Sequence, residues 1–270
     1  MRTAVCMVMA GLVVGCGSGA SSEDTFPAPP PNAGPSSARH RAVTLGDGGA
    51  PNGFYEYLPP AYPSGAAWPL LVFWHGIGEN GNGGSELSRV LANGPPKLIA
   101  EDRWPAERPF VVLSAQHAGG GCPSSGEVQA FVAWATAAYR INPKFVFMTG
   151  LSCGAIGAWS YLGDHPDEVA AAVLIAGDPG SPTSASSAWG KQGCSLGKVA
   201  ISAFHGDADG TVNIGNERAT MAKLLACPSP PARGAEWTEV AGGGHGIWGG
   251  IYDLTTAPDV YAWMLAHHKP

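Results

Sequence analysis

Two pentapeptides of this chain place a serine between glycines in the pattern G-x-S-x-G: GLSCG at residues 150–154 and GCSLG at residues 193–197. A serine held in this pattern on a sharp turn from strand to helix can act as the nucleophile of an acyl transfer. The chain has 39 glycines among 270 residues, so the five letters also arise by chance. The surrounding sequence must therefore separate the two serines.

That context favours Ser152. It follows the apolar run KFVFMTG, residues 144–150, which predicts a buried strand, and a segment typical of a helix begins at Cys153. On such a turn the N–H of Cys153 points toward the substrate oxygen. Ser195 precedes a predicted strand and has no helix start beside it, so we interpret its pattern as a chance match.

A serine hydroxyl is a weak nucleophile, and it needs a general base that is itself oriented by a carboxylate. On a strand–turn–helix scaffold of this kind the three follow in the order Ser, Asp or Glu, His. The segment AFHGDADGTV follows a predicted strand and supplies two candidate acids, Asp207 and Asp209. The segment GGGHGIW follows the last predicted strand and supplies His245. His267 and His268 end the terminal helix and are interpreted as solvated residues.

The elements that must position these residues are alternating apolar strands and helices. Short β-like runs, RAVTL and GFYEYLPP, come first. Strands are predicted within residues 69–76, 107–116, 144–150, 168–177, 198–206 and 235–245, and helices over 127–139, from 153, over 216–226 and over 259–268. This alternation predicts an α/β fold with a mostly parallel sheet and helices on both faces. We predict one domain, residues 41–270, without internal repeats.

Four segments give the chain a family resemblance: YLPPAYPSGAAWPLLVFWHGIGENG, INPKFVFMTGLSCGAIGAW, HGDADGTV and GGGHGIW. They span roughly residues 53–250 and resemble the secreted α/β-hydrolase esterases of the phospholipase/carboxylesterase, predicted-peptidase and polyhydroxybutyrate-depolymerase-like group. The resemblance implies the α/β-hydrolase fold. It also implies that the acid is Asp209, four residues after His205 in H-G-x-x-D, with Asp207 as the alternative. Ala155 departs from the glycine that usually ends the family's G-x-S-x-G-G.

The loop HGIGENG, residues 75–81, resembles the H-G-x-G-E-x-G loop of the same family. The resemblance implies that the backbone N–H groups of Ile77 and Cys153 form the oxyanion hole, with Gly78 as the alternative to Ile77. His75 and His205 are expected to be structural. Trp74 and Trp248 flank the predicted site, where core packing and substrate stacking both remain open.

The N-terminus indicates export. Arg2 precedes the apolar residues 4–14, as in a secretory signal, and residues 13–16 resemble a bacterial lipobox whose Cys16 becomes lipidated. The alternative is an ordinary signal peptide cleaved near Ala20. Residues 17–40 are rich in Gly, Pro and Ser and predict a disordered tether. We therefore expect a lipoprotein of the bacterial cell envelope, anchored through its lipid only, or otherwise a secreted or periplasmic protein.

Four cysteines remain once residues 1–16 are set aside, and an even number in an exported protein permits two disulfides. The sequence leaves the pairing open. We favour Cys194–Cys227, because Cys194 precedes a predicted strand and Cys227 ends the helix that follows it. Cys122 and Cys153 would then form the second pair, near the predicted site.

Composition and spacing exclude several other functions. The net charge of −6, with 13% charged residues, gives no basic surface for nucleic acid. No spacing such as H-E-x-x-H predicts a metal site, and the chemistry needs no cofactor. Residues 178–197 are too few for a large cap domain. We predict a monomeric serine esterase acting on small or polymer-linked esters. The alternatives are a peptidase or thioesterase with the same three residues, and a surface lipoprotein that only binds.

Overall fold

Eight strands form a single sheet. The computed structural model of the protein describes residues 25–228 and 232–270. Its strands are β1 (His40–Val43), β2 (Phe54–Tyr57), β3 (Trp68–Trp74), β4 (Val111–Ala115), β5 (Ile141–Leu151), β6 (Ala171–Ile175), β7 (Ala200–Gly206) and β8 (Ala235–Val240). They lie in the order β1-β2-β4-β3-β5-β6-β7-β8, and β2 runs in the direction opposite to that of the other seven strands.

Seven helices within the described residues cover the sheet: α1 (Gly94–Ala100), α2 (Ser125–Ala138), α3 (Cys153–Asp164), α4 (Ala188–Gln192), α5 (Ile214–Leu225), α6 (Trp248–Tyr252) and α7 (Val260–Leu265). Helices α2, α3, α4 and α5 contribute to the core on one face, and α1, α6 and α7 to the core on the other. Every residue of β3, β4, β6 and β7 is buried, because the central strands of such a sheet are covered on both sides. The predicted fold class is confirmed.

The segment before β1 differs from its prediction. Residues 25–40 were expected to belong to a disordered tether, but the ring of Phe26 contacts that of Phe145, with centroids 5.2 Å apart. Ser36 is buried, and its hydroxyl donates to the carbonyl of Ile99 at 2.8 Å. The prediction was wrong for this stretch because one aromatic ring and one buried hydroxyl can fix a segment whose average composition is polar. The predicted signal segment and Cys16 lie outside the described residues.

Two disulfides join the four cysteines of the described chain. One links Cys194, in a 3₁₀ turn before β7, to Cys227, just after α5, across a separation of 33 residues. The other links Cys122 to Cys153. In the described part of the chain, no helix combines the length and the apolar character needed to cross a membrane.

Replacing Cys194 and Cys227 together by Ala should lower the free energy of unfolding by about 3–4 kcal/mol, because the bond restricts a loop of this length in the unfolded chain. Urea denaturation of the variant and the wild type, both without reductant, measures the difference. Wild type in reductant serves as the control, with both disulfides open. An unchanged denaturation midpoint in the double variant would contradict the stabilising role.

Candidate active site

The candidate site lies where parallel strands end at their carboxyl edge. His75 follows β3, Ser152 follows β5, Asp209 lies in the loop after β7, and His245 lies in the loop after β8. Parallel strands bring their carboxyl ends to one edge of the sheet, which is where open α/β sheets bind ligands. Four segments far apart in sequence therefore meet at one edge.

The backbone of Ser152 is strained. Its φ of 49° and ψ of −120° lie in a region that side-chain-bearing residues rarely adopt. The surrounding structure holds this conformation, since the Ser152 N–H donates to the carbonyl of Ile175 in β6 at 2.9 Å, and the Ser152 carbonyl accepts from Ile156 in α3 at 2.9 Å. The turn lifts the hydroxyl above the sheet, as a nucleophile requires.

The glycines of the pentapeptide permit close backbone contact. A Cβ at Gly154 would lie 2.1 Å from the carbonyl oxygen of Trp74 and 2.6 Å from that of His75. A Cβ at Gly150 would lie 2.7 Å from the carbonyl carbon of Gly154. Helix α3 can therefore begin directly against the end of β3 only if these positions lack a side chain.

His245 bridges the other two predicted catalytic residues. Its Nε2 lies 2.9 Å from the Ser152 hydroxyl oxygen, and its Nδ1 lies 2.7 Å from Oδ2 of Asp209. The side chain of Asp209 is fully buried, whereas that of His245 is 20% exposed. The arrangement gives the hydroxyl a base within hydrogen-bonding distance, and gives the base an orienting carboxylate.

Asp209 is held as a carboxylate. Its Oδ1 accepts the backbone N–H groups of Thr211 at 2.8 Å and Val212 at 3.0 Å. Burial opposes the charged form, but the hydrogen bonds from His245 and from these two N–H groups lower its pKa below the ordinary value. The negative charge beside His245 therefore persists into the acidic range.

Asp207, the alternative acid, and Ser195, the second serine of the G-x-S-x-G pattern, do not contact His245. The carboxylate of Asp207 accepts the N–H of Gly242 at 2.7 Å in an exposed loop, and it is Asp209 that contacts His245. Ser195 lies in the 3₁₀ turn Gly193–Lys198 before β7, at the amino end of that strand. Because the strands are parallel, this is the opposite edge of the sheet from Ser152.

The predicted oxyanion loop abuts Ser152. A Cβ at Gly76 would lie 3.8 Å from Cβ of Ser152, and Ile77 begins a 3₁₀ turn, Ile77–Glu79, directly after it. Cys153 is the first residue of α3, so its N–H has no acceptor within the helix. Both predicted donors, Ile77 and Cys153, thus lie beside the serine, and Gly78 lies one residue further along the turn.

The buried side chain of His75 fixes the conformation of this loop through hydrogen bonds. Its buried ring accepts the N–H of His117 through Nε2 at 2.9 Å, and its Nδ1 lies 2.6 Å from the carbonyl oxygen of Gly76. Burial lowers the pKa of His75 to about 4, so the ring is neutral near pH 7 and Nδ1 carries the proton that it donates. These contacts fit the structural role that we predicted for His75.

Several supporting residues were missed by the sequence reasoning. Gln116 donates to the carbonyls of Glu79 at 3.0 Å and Glu86 at 2.9 Å, which fixes the end of the oxyanion loop. Asn93 donates to Glu79 at 2.8 Å and accepts from the indole of Trp248 at 3.0 Å. No pattern of spacing marks Gln116 or Asn93, because each acts on a loop far from it in sequence.

Trp248 contacts the candidate base. Its ring meets the His245 ring edge to face, with centroids 5.2 Å apart. The bond from Trp248 to Asn93 therefore connects the position of His245 with that of the oxyanion loop. Trp248 thus packs against the candidate base, whereas Trp74 is buried in the core.

Within residues 25–228 and 232–270, no three His, Cys, Asp or Glu side chains are grouped in a way that could hold a metal ion. The polar groups at the site are instead engaged with one another, as described above.

No protein-family model matches the sequence, and no curated protein matches it. Solved structures do match the fold of this chain. A thermostable esterase matches with a TM-score of 0.59 at 20% identity, over 86% of this chain and 64% of that one, so the chain spans less than two thirds of its length. A feruloyl esterase module from Clostridium thermocellum, complexed with sinapinate, matches with a TM-score of 0.62 at 18% identity, over 90% of this chain and 93% of that one.

The fold is that of the α/β-hydrolases. The same fold also appears in dipeptidyl peptidase 4 from Porphyromonas gingivalis, which matches with a TM-score of 0.59 at 12% identity, over 84% of this chain and 35% of that one. Esterases and peptidases thus share this α/β-hydrolase scaffold, and the reaction has to be argued from the site.

Replacing Gly154 by Ala should destabilise the protein by about 1–3 kcal/mol and reduce any activity of Ser152, because the new methyl group would push α3 away from β3. Gly126 is the matched control. It is likewise the second residue of its helix, α2, but a Cβ there meets nothing within 4 Å. Thermal unfolding of Gly154→Ala and Gly126→Ala measures the contrast, and equal melting temperatures would contradict the close-contact argument.

Proposed function

We propose that the protein is a serine hydrolase that cleaves carboxylic esters through an acyl-enzyme. One observation carries the proposal: His245 lies within hydrogen-bonding distance of both Ser152 and Asp209, and Ser152 occupies a strained turn. A histidine shared in this way is the arrangement that activates a serine hydroxyl. A protein that only bound its ligand would have no need of the strained turn.

The geometry supports the following reaction. The Ser152 oxygen attacks the ester carbonyl carbon while Nε2 of His245 takes the hydroxyl proton, and the N–H groups of Ile77 and Cys153 stabilise the oxyanion. Collapse of the tetrahedral intermediate expels the alcohol, which leaves with the proton from His245. Water then attacks the acyl-enzyme with the same base, and releases the acid and the free serine. The net reaction consumes one ester and one water and needs no cofactor.

We propose an open site for short-chain esters or esters carried on a polymer. Between β6 and β7 the chain forms only α4 and a 3₁₀ turn, so the described residues insert no large cap domain at this point. The side chain of Ile77, 59% exposed, offers an apolar contact for an acyl group next to the oxyanion loop.

A polar depression beside α3 supports the proposal that the alcohol part of the ester substrate carries several hydroxyl groups. It has a volume of about 370 Å³, and it begins at Ile156, one helical turn from Ser152. Its other lining residues include Ser160, Asp178 and Ser181. Hydroxyl and carboxylate groups of this kind can form hydrogen bonds to sugar hydroxyls. A peptidase or thioesterase activity remains the alternative outcome of a substrate panel.

We also propose that the protein is exported and anchored through Cys16, and acts as a monomer. Two disulfides within the described residues support export, because such bonds persist in oxidising compartments. The lipobox-like residues 13–16 support the lipid anchor.

Ser152→Ala should abolish ester hydrolysis and labelling by a fluorophosphonate, whose phosphorus bonds to the activated serine oxygen with loss of fluoride. Ser195→Ala is the matched control and should retain both. Peptide mapping of the labelled wild type identifies the modified serine. Absence of labelling in wild-type protein that is shown to be folded would contradict the proposed chemistry and favour the binding function.

Asp209→Asn should lower kcat by about 10⁴-fold, because the amide no longer holds His245 in the required tautomer or stabilises its charged form. Asp207→Asn makes the same replacement of a carboxylate by an amide of equal size, and it should change kcat little, since Asp207 contacts the backbone of Gly242 in an exposed loop. Steady-state kinetics on the best ester of the panel measures both variants. A larger loss in Asp207→Asn would identify Asp207 as the acid.

A further inference from the structure

The two donors of the candidate oxyanion hole come from separate segments of the chain. Ile77 lies in the loop after β3, and Cys153 is the first residue of α3. Their N–H groups can stabilise one oxyanion only if both lie about 2.7–3.1 Å from it, so the reaction depends on the spacing of the two segments. Contacts that join the two segments therefore act on the reaction even where they touch no substrate.

A third loop, residues 117–123 between β4 and α2, contacts the first of these segments, and we call it the glycine loop. The side-chain amide of Asn80, directly after the 3₁₀ turn of the oxyanion loop, donates to the carbonyl oxygens of Gly119 and Gly121 at 3.0 Å each. An Asn amide has two N–H groups to donate. Asn80 therefore fixes the glycine loop to the oxyanion loop at two points.

The glycine loop is bonded covalently to the second segment. Cys122 forms a disulfide with Cys153. Its neighbour Pro123 packs against α3, where a Cβ at Gly157 would lie only 2.6 Å from Cγ of Pro123. A continuous path of bonds thus runs from the oxyanion loop, through the glycine loop, to the residue that supplies the second N–H group.

The glycine loop has little side-chain packing with which to hold its own position. Residues 118–121 are exposed, and three of the four are glycines. A Cβ at Gly119, Gly120 or Gly121 would meet nothing within 4 Å. Because glycine leaves the backbone unusually free, such a segment takes its position from the groups that are bonded to it.

The other disulfide shows that a gain in stability does not explain where this one lies. The bond Cys194–Cys227 spans 33 residues of sequence. The bond Cys122–Cys153 spans 31 residues, so both restrict the unfolded chain to a similar extent. Cys194 precedes β7, at the opposite edge of the sheet from Ser152. Of two bonds with similar loop lengths, one thus reaches a residue of the oxyanion hole.

We propose that Asn80 and the Cys122–Cys153 disulfide position the active site, acting in series through the glycine loop to hold the two oxyanion donors at a fixed spacing. The inference rests on the proposed function, in which those two N–H groups stabilise the oxyanion. The oxyanion forms only after the substrate has bound. Breaking either contact should therefore lower kcat and leave KM nearly unchanged.

The first test compares the two disulfides. In Cys122→Ala/Cys153→Ala, which keeps the backbone N–H of residue 153, we expect kcat to fall about tenfold, with KM within about twofold of wild type. Complete loss of one oxyanion donor costs roughly 10²–10³-fold, so a displaced donor should cost less. Cys194→Ala/Cys227→Ala is the matched control, which should lose a similar amount of stability and keep the wild-type kcat. Steady-state kinetics and thermal unfolding measure both variants.

An alkyl boronic acid reports on the oxyanion hole directly. Its boron bonds to the Ser152 oxygen while His245 takes the hydroxyl proton, and one oxygen on the tetrahedral boron occupies the place of the oxyanion. In Cys122→Ala/Cys153→Ala its inhibition constant should rise about tenfold, by the factor by which kcat/KM falls, as for a transition-state analogue. The control variant should bind it as the wild type does.

Asn80→Ala tests the other contact. It removes both bonds to the glycine loop but keeps the backbone bond from the N–H of Gly81 to the carbonyl of His117, at 3.0 Å, so the start of the loop stays in place. We expect the same fall in kcat and the same rise in the boronic acid inhibition constant. Asn82→Ala is the matched control and should keep the wild-type values, because the side chain of Asn82 bonds within its own turn, residues 82–86.

The combined variant Asn80→Ala/Cys122→Ala/Cys153→Ala tests whether the two contacts act in series. Breaking one contact already interrupts the path, so the combined variant should lose no more than about tenfold in kcat. Effects that are independent of each other would multiply to about 100-fold. Such a product would overturn the proposal, because each contact would then support only its own segment.

The remaining outcomes separate this inference from the proposed function. If wild type neither hydrolyses esters nor labels at Ser152, the proposed function fails, and this inference fails with it. If wild type is active and the folded variant Cys122→Ala/Cys153→Ala matches its control in kcat and in boronic acid inhibition, the inference is overturned while the proposed function stands. Should that variant not fold, the comparison of Asn80→Ala with Asn82→Ala decides, and equal kcat values there would overturn the inference.

Discussion

The strained backbone of Ser152 is the constraint on which the rest of the site depends. A residue with a side chain holds a φ of 49° only where its surroundings leave it no relaxed alternative. Here β5 and α3 are both packed in the core, and the turn between them is bonded to β6 and to α3 itself. Relaxing the turn would displace one of these elements. The packing of the sheet and its helices therefore compensates for the strain in this turn.

Once the serine is fixed, the neighbouring loops have to be brought to it. Side chains below the surface do this: His75 and Gln116 hold the oxyanion loop, and Asn93 connects that loop to Trp248 and so to His245. The disulfide from Cys122 reaches the first residue of α3 and ties the loop before α2 to the turn. Loops are the most mobile parts of most folds, so ties of this kind supply the rigidity that a catalytic geometry needs.

Charge at the site is managed by hydrogen bonds. The side chain of Asp209 is fully buried, which would be costly for a carboxylate alone, but two backbone N–H groups and His245 form hydrogen bonds to its oxygens, and Nε2 of an outer histidine, His205, lies 3.1 Å from Oδ2. The outer histidine is itself balanced by Glu217, so the site contains a fixed negative charge without an uncompensated positive one behind it. The chemistry proposed for Ser152 depends on this charge remaining in place.

From the sequence alone we could predict the fold class and name Ser152, Asp209 and His245 as candidates. Ser152 and Asp209 follow apolar runs that are typical of strands covered on both faces. His245 follows β8, the partly exposed strand at the edge of the sheet. Sequence reasoning missed α1, α4 and α6, which are only five to seven residues long, and it wrongly assigned residues 25–40 to a tether. The contact of Asp209 with His245, and the support that Asn93 and Gln116 give to the loops of the site, are visible only in the folded structure. Their contacts join segments far apart in the chain, and such contacts leave no local pattern in a sequence.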